Sequence, residues 1–148
     1  MPITLKKLEL SEIDNLLQMM NEFYIFENIP FVYDEMKQLI MELLNNTIYG
    51  EILLIKTDNI IIGYVVLTKG FSLEYKGIFY LLDEFYIKQD FRSKGYGTSV
   101  INYLKYYLSK KNANYLLLEV DNFNNRAYQL YIRNGFIDKD RKFLRCKI

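Results

Sequence analysis

The stretch FYLLDEFYIKQDFRSKGYGTSVINYLKYYL, residues 79–108, decides the fold of this chain. Its first ten residues form an apolar, aromatic-rich run that is typical of a β-strand. The loop Arg-Ser-Lys-Gly-Tyr-Gly follows at 92–97. Beyond that loop, four apolar residues recur at helical spacing: Val100, Ile101, Leu104 and Leu108. The stretch therefore predicts a strand, a glycine-containing loop and a helix in direct succession.

This succession predicts an anion-binding site at the start of the helix. The first N–H groups of a helix have no intrahelical partner, and the helix dipole adds positive charge there. Gly95 and Gly97 allow the backbone to turn its N–H groups towards a ligand, and Arg92 and Lys94 add charge at the rim. We therefore expect a phosphate or pyrophosphate group at this loop.

Two glycine-rich nucleotide motifs do not fit the sequence. A P-loop requires G-x-x-x-x-G-K-[ST], and no such run occurs. The dinucleotide fingerprint G-x-G-x-x-G would require glycine at position 100, which is Val100. Both classes of nucleotide-binding protein are excluded on this pattern.

A second motif follows the next predicted strand, Tyr115–Val120. It reads NNRAYQLYIRNGF and occupies residues 124–136. Together, R-x-x-G-x-G after an apolar strand and N-x-x-A-x-x-L-Y-x-x-x-G-F resemble the two motifs of the GNAT superfamily of N-acetyltransferases. The resemblance covers residues 60–137.

The resemblance implies an α/β (α+β) GNAT fold in one domain, residues 1–148. We expect a central mixed, mostly antiparallel sheet of about six to seven strands flanked by about four helices. One parallel βαβ crossover should join 79–88 to 115–120. Helices should start near Ser11 and Asp34, and the tail 136–148 should supply one or two short strands. Asp58-Asn59 should form a tight hairpin turn.

Length and composition agree with one ordinary globular domain. The chain has 148 residues, of which 51% are hydrophobic and 25% charged. The formal net charge of +1, from scattered basic residues, gives no reason to expect nucleic acid or membrane as a partner. The N-terminus lacks a long apolar segment, and we expect the protein to be cytoplasmic.

The available side chains restrict the chemistry. Cys146 is the single cysteine, which excludes an intramolecular disulfide, and the absence of histidine removes the commonest metal ligand and general base. We therefore expect no metal. Catalysis would depend on carboxylates, tyrosine or water.

The reaction that the resemblance implies is transfer of an acetyl group from acetyl-CoA to a primary amine. The acceptor would be a small molecule, a peptide N-terminus or a lysine. Glu119 is the first candidate for the general base, because its spacing from Tyr131 looks like that of the acetyltransferases acting on ribosomal-protein N-termini. Asp83 is the second candidate, because the Asp83-Glu84 pair resembles, in reversed order, that of spermidine/spermine acetyltransferases.

Strand alternation predicts that Asp83 and Glu84 face opposite sides of the sheet, so that only one lines the cleft. A water chain ending on a carboxylate remains an alternative base. Tyr131 would donate a proton to the CoA sulfur, and its alternative role is packing in the core. Asn124 would bind the pantetheine arm, cap its helix, or do both.

The resemblance also implies the binding residues. Backbone groups at 85, 87 and 88 would pair with pantetheine like an added strand. The expected cofactor-binding residues are Phe85, Ile87, Lys88, Arg92, Ser93, Lys94, Gly95, Tyr96, Gly97, Thr98, Asn124 and Tyr131. The expected acceptor-binding residues are Phe26, Phe31 and Glu84.

The sequence leaves two classes of function open. The first is an N-acetyltransferase, and the second is a catalytically silent acyl-CoA-binding or regulatory module of the same fold. A homodimer is possible for either, since dimers are frequent in the family.

Overall fold

A computed structural model describes residues 2–148. The described residues form a five-stranded sheet of order β1-β2-β3-β4-β5. The strands are β1 (Thr4–Lys7), β2 (Gly50–Thr57), β3 (Ile60–Ser72), β4 (Gly77–Ile87) and β5 (Tyr115–Leu117). The helices are α1 (Ile13–Phe26), α2 (Tyr33–Asn45), α3 (Tyr96–Ser109) and α4 (Asn125–Arg133). The α/β fold and the number of helices agree with the prediction.

The sheet is antiparallel except at one edge. Neighbouring strands from β1 to β4 run antiparallel, while β4 and β5 are parallel and pair from Phe79↔Tyr115 to Leu81↔Leu117. The predicted crossover through α3 is therefore confirmed. The β2–β3 hairpin turns through Asp58 and Asn59, at φ values of 48° and 65°. Two left-handed residues are what a two-residue hairpin turn requires.

Two apolar cores cover the two faces of the sheet. On one face α1 and α2 pack against alternate residues of β2 and β3, such as Leu54 and Tyr64. On the other face Val100 and Leu104 of α3 pack against Leu53 and Val65. The helical spacing of the apolar residues in α3 is the sequence pattern that produces this second core.

A β-bulge interrupts β4 at Asp83. Val66 pairs with Glu84 and Leu67 with Leu82, so that Asp83 has no partner on β3. The bulge reverses the side-chain alternation: Leu82 lies in the α3-side core, whereas Tyr86 lies in the core under α1. The prediction that Asp83 and Glu84 face opposite sides fails, because it assumed an unbroken strand.

The sheet has fewer strands than the predicted six to seven. The structure assigns no strand to the predicted tail, 136–148. Beyond Phe136 the side chains are exposed, and Ile137 and Leu144 leave 80% and 85% of their surface accessible. A strand forms when it has a face to bury, and the tail buries none. An ion pair holds the tail instead, with Arg141 Nη1 and Nη2 donating to the two carboxylate oxygens of Glu74 at 3.1 and 2.6 Å.

The first two helices begin differently from the prediction. A 3-10 turn at Leu10–Glu12 precedes α1, and Glu9 and Glu12 form its capping box in place of a cap by Ser11. Helix α2 starts at Tyr33, with Asp34 in its first turn. Asp14, in the first turn of α1, accepts a hydrogen bond from Tyr33 Oη at 2.8 Å.

Candidate functional site

The candidate site is a cavity of about 1100 Å³ between the diverging strands β4 and β5. Strand β5 pairs only as far as Leu117, and the bulge at Asp83 turns β4 away just beyond the paired residues. Helix α1 closes one side, the start of α3 closes a second, and α4 lies across the opening. The volume lies just above the range of roughly 300–1,000 Å³ for small-molecule sites.

One end of the cavity is suited to an anion. Helix α3 begins after Gly95, whose φ of +85° is left-handed, and no side chain caps this N-terminus. Arg92 lines the wall beside it, and its Nε donates to the carbonyl of Ile87 at 2.7 Å. The uncapped N–H groups, the helix dipole and the guanidinium together provide what a pyrophosphate binds.

Gly97 has a structural role that the sequence did not reveal. A Cβ at this position would lie 2.9 Å from Leu130 Cδ2. The glycine thus lets α4 approach the first turn of α3. This contact places α4 against the first turn of α3, beside the loop that is suited to the anion.

Most of the predicted cofactor-binding residues line this cavity: Phe85, Ile87, Arg92, Ser93, Gly95, Tyr96, Gly97, Thr98, Asn124 and Tyr131. Lys88 and Lys94 do not. The backbone N–H of Lys88 is directed to β3, where it donates to the carbonyl of Ile62 at 2.8 Å. The Lys94 ammonium lies 5.6 Å from the centre of the Phe91 ring.

The other end of the cavity is acidic. Because of the bulge, Asp83 and Glu84 both line it, and Glu119 joins them from the segment after β5. Burial raises the pKa of each of these three carboxyl groups. The nearby Asp83 carboxylate raises the pKa of Glu119 further. A carboxylate with a raised pKa is a better proton acceptor near neutral pH.

Tyr131 of α4 faces the same end. Burial, with a smaller contribution from Glu27, raises its pKa to about 12. The phenol therefore holds its proton at neutral pH and can donate it. Asn124 lines the cavity and also caps α4, because its Oδ1 accepts from the N–H of Ala127 at 3.2 Å.

The predicted acceptor residues are divided between two places. Phe26 and Glu84 line the cavity. Phe31 lies behind it and packs edge-on against Tyr24, with ring centres 5.4 Å apart. Phe31 thus supports the wall residue Tyr24, while Glu27 and Ile29 of the same loop line the cavity.

The structure adds two residues that the sequence analysis did not select, Arg126 and Asp121, and it also places Glu27 in the cavity wall. Arg126 lines the anion end, and its Nη2 donates to Ser93 Oγ at 2.7 Å. Glu27, at the end of α1, shares a hydrogen bond with Asp121, and burial together with that contact raises the pKa of Glu27 to about 7. Arg126 stands at a variable position of the second motif, between Asn124 and Ala127. That place in the motif is the sequence signal that could have selected it.

A family model decides the identity of this domain. The model of the acetyltransferase (GNAT) family matches residues 13–136, which contain β2 to β5 and all four helices. The chain belongs to the GNAT acetyltransferase family. The GNAT domain thus has the fold and the general activity, acyl transfer, that its two motifs imply.

Solved structures share this GNAT fold. An integron cassette protein from the mobile metagenome of Cole Harbour Salt Marsh is 27% identical, with a TM-score of 0.84 over 97% of this chain and 90% of that one. A possible acetyltransferase from Clostridium difficile 630 is 18% identical, with a TM-score of 0.85 over 99% and 97%. A predicted acetyltransferase from Clostridium acetobutylicum, solved with acetyl-CoA, is 18% identical, with a TM-score of 0.78 over 99% and 96%.

No protein of curated function matches the sequence. Among residues 2–148, no group of three or more acidic, histidine or cysteine side chains is placed to hold a metal ion. None of the helices in that same range combines the length and the apolar character needed to cross a membrane.

Proposed function

We propose that this GNAT domain is an N-acetyltransferase that moves the acetyl group of acetyl-CoA to a primary amine. The observation that supports this most is the polarity of the cavity. The uncapped start of α3, flanked by Arg92 and Arg126, lies at one end, and the carboxylates with Tyr131 lie at the other. A pyrophosphate-bearing thioester and a cationic amine would each meet the complementary charge.

The residues present fit acetyl-CoA. The first turn of α3, Arg92 and Arg126 would hold the pyrophosphate, and the edge of β4 beyond Leu82 is free of β5 and open to a pantetheine arm. Acetyl-CoA supplies an already activated thioester. The neighbour from Clostridium acetobutylicum, which was solved with acetyl-CoA, supports this choice of cosubstrate.

The protein's part in the reaction is to position two groups and move protons. Glu119, or Asp83 beside it, would take a proton from the acceptor ammonium so that its nitrogen can attack the carbonyl carbon. The C–N bond forms as the C–S bond breaks. Tyr131 would give its phenolic proton to the departing sulfur, and the second proton lost by the nitrogen would restore the phenol. Over the whole reaction one proton leaves to solvent.

We propose a cationic acceptor. Five carboxylates face the cavity: Glu27, Asp83, Glu84, Glu119 and Asp121. Glu74, another acidic residue near the cleft, is taken up by its ion pair with Arg141 and does not line the cavity. Glu27 and Asp121 share a proton, so the charge at this end comes mainly from the other three, and it would attract an ammonium group at neutral pH.

The test is an amine panel followed by chromatography of released CoA. Chromatography is preferred because the exposed thiol of Cys146 would react with a thiol reagent. We expect acetyl-CoA binding by calorimetry and faster turnover of diamines, triamines and lysine esters than of neutral hydroxylated amines. Binding without CoA release from any amine would identify a silent module, and no binding would refute the proposal.

A further inference from the structure

Two phenols hold the carboxylate of Glu84 in the cavity wall. Tyr24 Oη donates to its Oε2 at 2.7 Å, and Tyr64 Oη donates to its Oε1 at 2.7 Å. Tyr64, on β3, is fully buried, and Tyr24 belongs to the last turns of α1. Each carboxylate oxygen thus has one phenol donor and retains lone-pair capacity for another donor.

The surroundings of this group are aromatic. Phe23 contacts the rings of Tyr24 and Tyr64 edge-on, at 5.9 and 6.4 Å between ring centres, and Phe31 also packs edge-on against Tyr24. Within residues 2–148, Glu84 takes part in none of the ion pairs. Its negative charge is therefore held by phenols and available to a cation.

We infer that Tyr24 and Tyr64 are positioning residues that present Glu84 to the acceptor's ammonium group, so that the site selects a primary amine on an apolar stem. The inference rests on the proposed function. A primary ammonium has three N–H donors for the carboxylate, whereas a quaternary ammonium has none. The aromatic side chains favour an apolar stem and a nearby cation.

The electrostatics agree with this role. Burial raises the pKa of Glu84 and the Asp83 carboxylate adds to the rise, while the two phenols lower it. Burial and the Glu84 charge raise the pKa of both phenols, so they remain donors at neutral pH. Loss of either phenol would destabilise the anionic form of Glu84 and remove one of the two hydrogen bonds that fix its carboxylate.

The experiment compares Tyr64→Phe and Tyr24→Phe with Tyr33→Phe, using the panel amine of highest kcat/KM. Tyr33 is the matched control because its phenol also donates to a carboxylate, Asp14, outside the cavity. We expect the KM for the amine to rise about tenfold in each of the first two variants, as loss of one charge-assisted hydrogen bond would give. The Kd for acetyl-CoA should not change.

A double-mutant cycle separates positioning from packing. In a Glu84→Met background, which has no acceptor for the phenols, Tyr24→Phe and Tyr64→Phe should no longer raise the KM. If Tyr64→Phe does not fold, the Tyr24→Phe variant alone tests the inference, because Tyr24 is only half-buried.

The inference would be overturned if the tyrosine and Glu84 substitutions raised the KM additively. It would also be overturned if Tyr24→Phe and Tyr64→Phe had the same KM as Tyr33→Phe. Either result would leave the proposed function intact. Wild-type protein that acetylates no amine of the panel would overturn both.

Discussion

Tyr131 is the residue that tests the proposed proton transfer most directly. With Tyr131→Phe we expect kcat to fall about 100-fold, because the departing sulfur would lose its proton donor. The Kd for acetyl-CoA, measured by calorimetry, should stay within about twofold, because the ring that packs against Phe136 remains.

Tyr128→Phe is the control for that variant. Tyr128 lies on the same helix, but its phenol donates to Asp138 at 3.1 Å and does not line the cavity. Equal kinetics in the two variants would remove Tyr131 as the acid.

The pH profile of kcat distinguishes the two candidate bases. Because the pKa of Glu119 is raised and the base must be ionised, the wild-type rate should rise with pH through a value above the ordinary carboxyl pKa. Glu119→Gln should lower kcat about 100-fold and remove this rising limb, that is, the increase of kcat with pH. Asp83→Asn should move the limb to lower pH, since the Asp83 charge contributes to the raised pKa of Glu119. If Asp83→Asn instead removes the limb, Asp83 is the base.

At the scale of elements, the loop before α3 depends on one backbone conformation. Gly95 has φ = +85° and no atom lies within 4 Å of a Cβ built there, so Gly95→Ala would strain the backbone without a clash. We expect a loss of about 1–2 kcal/mol in the free energy of unfolding. Acetyl-CoA binding should weaken about tenfold or more, because relaxation of the strain would turn the N–H groups of the α3 N-terminus.

Gly135→Ala provides the matched control for strain alone. Gly135 has φ = +91° at the end of α4 and does not line the cavity. It should cost similar stability in chemical denaturation and leave the Kd for acetyl-CoA unchanged. If both variants bind acetyl-CoA as tightly as wild type, the start of α3 does not hold the pyrophosphate.

The termini of α4 were predictable from sequence because local chemistry sets them. Asn124 caps the first turn, as one of its two expected roles. At the other end, Phe136 N–H donates to Tyr131 O and Gly135 N–H to Ile132 O, which is the Schellman pattern that the Gly-Phe pair indicates. The tail strands were not predictable in the same way, because a strand depends on a partner and a buried face elsewhere in the molecule.

At the scale of the whole molecule, two contacts join α1 to the segment after β5. Phe26 and Phe123 lie 6.3 Å apart between ring centres, and Glu27 shares its hydrogen bond with Asp121. Both pairs connect elements from opposite halves of the chain beside the cavity. The second pair makes the stability of the protein depend on pH.

The sign follows from proton binding. The pKa of Glu27 is about 7 in the folded protein, against about 4.3 for an unfolded glutamate. Between these values the folded state binds more protons, so its stability should fall as the pH rises from about 5 to about 8. Glu27→Gln should reduce this fall in Tm, whereas Glu42→Gln, on an exposed part of α2, should not. If the Tm of Glu27→Gln depended on pH as that of the wild type does, Glu27 and Asp121 would not share a proton in the folded protein.

The sequence by itself determined the strand, loop and helix of 79–108, the crossover, the second motif and the family. These features depend on local periodicity, on glycine and on short hydrogen-bonded caps, all of which are written in consecutive residues. It also brought Asp83, Glu119 and Tyr131 forward as candidates for the chemistry.

Only the tertiary structure decided that Asp83 and Glu84 share one cavity, because a bulge is a mismatch between two strands and neither strand alone encodes it. In the same way Gly97 meets Leu130, Arg126 meets Ser93, and Tyr24 and Tyr64 meet Glu84. These partners lie 20 to 60 positions apart in the chain. Such contacts depend on how the helices pack on the sheet, and packing is a property of the whole chain.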